Sequence, residues 1–136
     1  LEARLYEQRG DFAAALPALT EATRLRRAHA PGSADVLVSV VNEIRSRYAV
    51  HDFAGIVRIV RDTGRSLFDH LTVQPPEARG LLAWYVGDSL LRQQAPAAAS
   101  YLALALSAYR DQGATADVLQ LQHDLSLALR LRPPRP

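Results

Sequence analysis

The chain has 136 residues, of which 49% are hydrophobic and 22% are charged, and its formal net charge is +2. This balance is typical of one globular domain and not of a disordered chain, and so small a charge gives no support for nucleic-acid binding. The sequence contains no cysteine, which excludes disulfides, zinc–thiolate sites and thiol nucleophiles. No apolar run is long enough to span a membrane and the first residues contain no apolar signal core, so we expect a cytoplasmic protein.

Helices are predicted along the whole chain, because apolar residues recur at helical spacing and no alternation of period two is present. Breakers and capping residues divide the chain into seven predicted helices, over residues 1–9, 12–28, 34–49, 53–70, 76–93, 96–111 and 116–131. Four of them are expected to begin behind a side chain that accepts backbone N–H bonds, namely that of Asp11, Ser33, Asp52 and Thr115. Two others are expected to begin with proline, at Pro76 and Pro96.

The sequence also repeats itself. The Asp-Phe pair at residues 11–12 recurs at residues 52–53, and "SADVL" at 33–37 recurs as "TADVL" at 115–119. These matches indicate a unit of about 41–43 residues, each unit being a pair of antiparallel helices joined by a tight turn. We therefore predict one all-α domain over residues 1–132, with units of about 1–33, 34–75 and 76–114, a final helix over 115–132, and a Pro-rich tail or linker at 133–136.

In the first unit, the small residues Ala3 and Ala15 and the larger Tyr6 and Leu19 stand at the spacing that lets two paired helices pack closely. This unit resembles a tetratricopeptide repeat. The long period and the loop "RLRRAHAPGSADV" are similar to the kinesin-light-chain subtype of that family. The resemblance implies a right-handed superhelix of three antiparallel helix pairs plus a C-terminal helix, that is, a TPR-like α-solenoid.

The resemblance further implies that the first helix of each pair lines a concave face that binds a peptide or partner protein. Aligning the units on their turns puts nine residues on this face, namely Arg4, Gln8, Val41, Arg45, Tyr48, Trp84, Asp88, Arg92 and His123. Arginine and aromatic side chains are frequent anchors of protein contacts. For Trp84, the only tryptophan, a place in the core is the open alternative.

No pattern predicts a catalytic, metal or cofactor site. The stretch Gly10-Asp11-Phe12 lacks both the further glycines of a phosphate loop and the alternating oxygen ligands of a calcium loop, so we interpret it as a turn. The four histidines lack metal-ligand spacing.

A basic stripe is predicted on the helix over 53–70. Arg58, Arg61 and Arg65 are spaced at i, i+3 and i+7, with Asp62 and Asp69 among them. Because no aromatic residues are interleaved, the pattern favours a solvated ion-pair face over a nucleic-acid interface.

We therefore expect a protein–protein interaction or scaffold module, without enzymatic activity, from a larger regulatory or signalling protein. The chain contains no methionine and begins as if inside a helix, and its Arg, Ala and Leu bias suggests a GC-rich bacterial genome. The alternative that stays open is a ligand- or peptide-sensing domain that controls an attached effector, such as a transcription regulator or kinase. Exposed solenoid ends would also permit a homo-oligomer.

Overall fold

The computed structural model describes residues 11–131, and every regular element in that range is an α-helix. The helices are α1 (Phe12–His29), α2 (Ala34–Ala49), α3 (Phe53–Thr63), α4 (Arg65–Thr72), α5 (Pro76–Arg92), α6 (Ala98–Asp111) and α7 (Thr115–Ala128). The all-α prediction is thus confirmed for these residues. None of the described helices is long and apolar enough to cross a membrane. The predicted helix over 1–9, with Arg4 and Gln8, lies outside the described residues.

Three of the four predicted helix caps are confirmed. Asp11, Ser33 and Asp52 each accept a hydrogen bond from the backbone N–H three residues ahead, at 3.1, 3.4 and 3.0 Å. The prediction for Thr115 is wrong, because α7 begins at Thr115 itself and the preceding Ala114 has no side chain that could accept the bond. Pro96 likewise lies in a turn, two residues before α6 begins.

The predicted helix over 53–70 is in fact two helices, broken at Gly64. This residue has φ +70° and ψ −154°, a backbone conformation that essentially only glycine adopts. It ends α3 and starts α4 at once, so the helical ladder cannot continue across it. The break also separates Arg65 from Arg58 and Arg61, and the predicted continuous stripe is therefore not formed on one helix.

Helix α5 occupies the centre of the packing. It contacts α2, α3, α4, α6 and α7, and its contact with α6 is the most extensive in the described chain. A Cβ atom at Gly87 would lie only 2.7 Å from Cδ2 of Leu102 and 3.1 Å from its backbone nitrogen. Glycine at this position therefore lets α5 and α6 approach closely.

Most of the remaining contacts join helices that are consecutive in the chain, and α2 also contacts α4. Helix α1 packs on α2, α2 packs on α3, and α6 packs on α7, while α2 and α7 each also contact α5. The largest fully buried apolar side chains are spread along this row of helices, at Ile44, Ile56, Leu67, Leu71, Leu102 and Leu121. One continuous core thus joins α2 to α7.

Candidate functional site

A half-buried carboxylate joins the end of α2 to the second half of α5. The hydroxyl of Tyr48 donates a hydrogen bond of 2.6 Å to Oδ2 of Asp88, and Nε of Arg92 donates to the same oxygen at 3.1 Å. The Asp88 side chain is only 15% exposed, whereas that of Arg92 is 55% exposed. Three of the residues that the sequence places on the binding face therefore lie together.

Aromatic rings surround this carboxylate. Tyr48 stacks on Tyr85, with ring centroids 4.0 Å apart and planes 14° from parallel, and it meets the Phe53 ring edge-on at 5.7 Å. The guanidinium carbon of Arg92 lies 4.4 Å from the centroid of the Phe53 ring, within cation–π distance. We name Tyr48, Phe53, Tyr85, Asp88 and Arg92 the aromatic–arginine cluster.

Local sequence explains why the cluster forms. Tyr48 lies in the last turn of α2, and the tight turn that follows brings Phe53, the first residue of α3, back beside it. His51 takes a positive φ of 61° in this turn and packs its ring edge-on to Phe53 at 5.7 Å. The three α5 members are spaced at i, i+3 and i+7, so they share one helix face.

The charges and burial around Tyr48 keep its hydroxyl protonated, so that it acts as a hydrogen-bond donor. Burial, together with the hydrogen bond to the Asp88 carboxylate, raises the pKa of Tyr48 above its ordinary value. The hydroxyl is therefore protonated over the physiological range. Arg92 uses only Nε within the described part of the chain, and its two terminal nitrogens are free to donate to a ligand carboxylate or carbonyl.

The other predicted site residues do not join the cluster. Val41 lies in the hydrophobic core, and Arg45 is half-buried without a hydrogen bond or ion pair to any residue in 11–131. Trp84 is half-buried against the core and meets the Tyr109 ring edge-on at 5.3 Å. His123 is exposed on α7.

Sequence reasoning missed two members of the cluster. Phe53 belongs to the repeated Asp-Phe corner, and the repeat assigns it only a role in packing the turn. Tyr85 is adjacent to Trp84, and the repeat alignment does not assign it to the binding face. The signal that could have found Tyr85 is its spacing of three residues from Asp88 on the same helix.

A second polar network joins α1, α2 and α3. Glu43 is 4% exposed and accepts hydrogen bonds from Arg47 at 2.9 Å and from Thr20 at 3.3 Å. Arg47 also pairs with Asp52. Burial by itself would raise the pKa of Asp52, but the hydrogen bonds from Arg47 and the Gly55 N–H outweigh it and lower that pKa. Because these charges satisfy one another, we assign the network a structural role.

A cleft of about 270 Å³ lies beside this network and is also lined by Arg27 and Arg58. Within residues 11–131, no group of three or more His, Asp or Glu side chains is placed to hold a metal ion. Comparison with protein-family models, with curated proteins and with solved structures finds no match to this chain. The tetratricopeptide resemblance therefore stays a prediction.

Proposed function

We propose that this chain is a protein-interaction module of tetratricopeptide-like architecture, in which stacked helix pairs present the aromatic–arginine cluster to a peptide or partner protein. The observation that carries the proposal is that Tyr48 meets Asp88, 40 positions away in the sequence, and that Arg92 binds the same carboxylate. These are residues that the repeat alignment assigns to one binding face. Two further rings extend the surface that they form.

The pattern of helix contacts supports the stacked architecture. In the proposed superhelix, α2, α5 and α7 are the first helices of successive units, and α2 contacts α5 while α5 contacts α7. Packing between neighbouring units is the defining property of solenoids. At the end of this row, Leu119 and Leu129 are 63% and 69% exposed, which supports further repeats or a second copy of the chain beyond α7.

The chemistry of the cluster favours a peptide with an acidic residue beside an apolar or aromatic one. The terminal nitrogens of Arg92 can bind a carboxylate, and the rings of Phe53 and Tyr85 offer rigid apolar area that loses little entropy on binding. The low net charge does not favour nucleic acid. A cytoplasmic, bacterial regulatory protein is the context in which we place the module.

A ligand-sensing domain is the second candidate. A groove of about 450 Å³ beside the break between α3 and α4 favours it, because that volume suits a small molecule. In this case, ligand binding on the groove would alter an attached effector domain.

The interaction proposal is tested by selecting peptides from a displayed random library on the immobilised 136-residue chain. We expect the selected peptides to be acidic, and we expect Arg92→Gln to weaken their binding about tenfold, through loss of a charge-assisted contact. Arg110→Gln is the matched control, because Arg110 is exposed on α6 and lies outside the cluster. Equal binding by the two variants, or a selection without enrichment, would contradict the proposal.

A further inference from the structure

The break between α3 and α4 opens a groove against the start of α6. The groove has a volume of about 450 Å³, within the range of small-molecule sites. Residues from α3, α4 and α6 line it, and Gly64 lies at its edge. It uses none of the residues of the aromatic–arginine cluster.

Glycine is required at position 64 by the backbone conformation and not by crowding from neighbouring atoms. A Cβ atom added there would meet no heavy atom within 4 Å, so packing does not require glycine. The conformation does, since φ +70° with ψ −154° is open essentially to glycine alone. Such residues cluster at ligand sites and switch regions, and here the glycine lies at the helix break and lines the groove.

Two aromatic rings form the apolar part of the groove. Phe68 and Tyr101 meet edge-on, with ring centroids 5.2 Å apart. Tyr101 is only 5% exposed, and its hydroxyl has no hydrogen-bond partner in the described residues. No fully buried polar side-chain atom lacks a partner in the part of the chain that the structure describes, so this hydroxyl is not fully buried. Tyr101 is one of the residues that line the groove.

Two arginines supply the charge. Arg61 lines the groove, is exposed, and forms no ion pair within residues 11–131. Arg65 also lines it, and its nearest carboxylate is that of Asp69 at 3.7 Å, in a pair whose side chains are 86% and 63% exposed. Pairs as exposed as this one contribute little to stability, so breaking the pair to bind a ligand costs little. The groove thus combines two available cations with an apolar interior.

We propose that this groove binds a small organic acid with an apolar body, such as an alkyl or aryl carboxylate. The carboxylate binds Arg61 and Arg65, and the apolar body packs on Phe68 and Tyr101. Tyr101 offers its hydroxyl as a further donor; burial and, to a smaller extent, the Asp69 carboxylate raise its pKa to about 12, so it is protonated at neutral pH. Both the charge and the apolar body are needed for recognition.

The test is a titration of the isotopically labelled 136-residue chain, followed by NMR, with three probes. Octanoate carries both features, octylamine has the same body with the opposite charge, and acetate has the charge without the body. We expect saturable shifts around the groove with octanoate, and affinities at least about tenfold weaker for the other two probes.

Variants separate the groove from general charge effects. The double variant Arg61→Gln/Arg65→Gln should bind octanoate about tenfold more weakly. The variant Arg110→Gln/Arg130→Gln removes the same charge from exposed positions outside the groove and should bind like wild type. Tyr101→Phe, which keeps the ring, should weaken binding a few-fold.

Several results would overturn the proposal. These are equal binding of octanoate and octylamine, an equal effect of the two double variants, and octanoate shifts located away from the groove. Absence of any octanoate binding overturns the proposal as well. If octanoate does not bind and Arg61→Gln/Arg65→Gln instead dissociates a dimer in sedimentation experiments, the two arginines serve a contact between copies of the chain and not a ligand site. Because the four arginines are exposed, we expect both double variants to fold, and circular dichroism checks this. A change in binding then reports on the groove and not on unfolding.

Discussion

Tyr48 and Asp88, 40 positions apart in the sequence, share a hydrogen bond of 2.6 Å that ties the end of α2 to α5. The same carboxylate oxygen accepts from Arg92, whose guanidinium lies over the Phe53 ring at the start of α3. The carboxylate therefore orients Tyr48 and Arg92 directly, and Arg92 extends the contact to Phe53 on a third helix. The cluster is held in place before any ligand arrives, which lowers the entropic cost of binding.

Tyr48→Phe should lower the free energy of unfolding by about 1–2 kcal/mol, because it removes a hydrogen bond to a charged acceptor. Tyr85→Phe, which keeps the stacked ring and has no hydroxyl bond to lose within the described residues, should change it by less than about 0.5 kcal/mol. Urea denaturation of both variants measures the difference. In a double-mutant cycle with Asp88→Ala, which removes the acceptor, a coupling energy near zero would show that the bond is not formed in solution.

Alkaline pH should destabilise the fold through its buried tyrosines. Burial and the bond to Asp88 raise the pKa of Tyr48, and burial raises the pKa of Tyr101 to about 12. A raised folded-state pKa contributes stability in full below the unfolded-state value of about 10, and that stability is lost as the pH rises through the folded-state pKa. Urea midpoints should therefore fall between about pH 10 and 12, and less steeply in Tyr48→Phe. An unchanged slope in this variant would contradict the assignment.

Gly87→Ala should destabilise the chain by about 1–3 kcal/mol, since its Cβ would overlap the Leu102 side chain. Thermal unfolding measures the loss. Leu102→Val is the matched second change, because it removes a methylene from the side chain that the new Cβ meets. The double variant should be more stable than the sum of the two single losses predicts. If the two stability losses simply add in the double variant, the new Cβ does not clash with Leu102 and the prediction is wrong.

If the helix pairs stack as proposed, the effect of a core truncation should stay local. Leu121→Ala creates a cavity in α7, where Leu121 is fully buried, and such truncations cost about 2–5 kcal/mol. In a row of helices that contact mainly their neighbours, amide-exchange protection should fall in α6 and α7 and much less in α1. A uniform loss of protection across all helices would argue for a single cooperative bundle instead.

Helix positions followed from local signals. Apolar spacing and the caps at Asp11, Ser33 and Asp52 act within a few residues, and the structure has these helix starts where the pattern predicts them. The break at Gly64 was missed, because one glycine inside an apolar pattern lowers helix propensity by only about 1 kcal/mol and packing decides whether the helix continues.

The candidate site was only partly predictable. Repeat alignment assigns Tyr48, Asp88 and Arg92 to one face, since equivalent positions would point the same way if the units stack as proposed. It could not find the contact of Phe53 with Arg92 or the stack of Tyr85 on Tyr48, which depend on the distance and angle between helices. Burial of Glu43 could not be predicted either, because it depends on an ion pair with Arg47 and a hydrogen bond from Thr20 on the neighbouring helix.

The most direct test of the interaction surface is to map a selected acidic peptide onto the labelled chain by NMR. We predict saturable shifts at Tyr48, Phe53, Tyr85, Asp88 and Arg92, lost in Arg92→Gln and retained in Arg110→Gln. Shifts confined to the groove beside Gly64 or to the exposed face of α7 would contradict the central claim that the aromatic–arginine cluster binds the partner. Shifts that are unchanged in Arg92→Gln would contradict it as well.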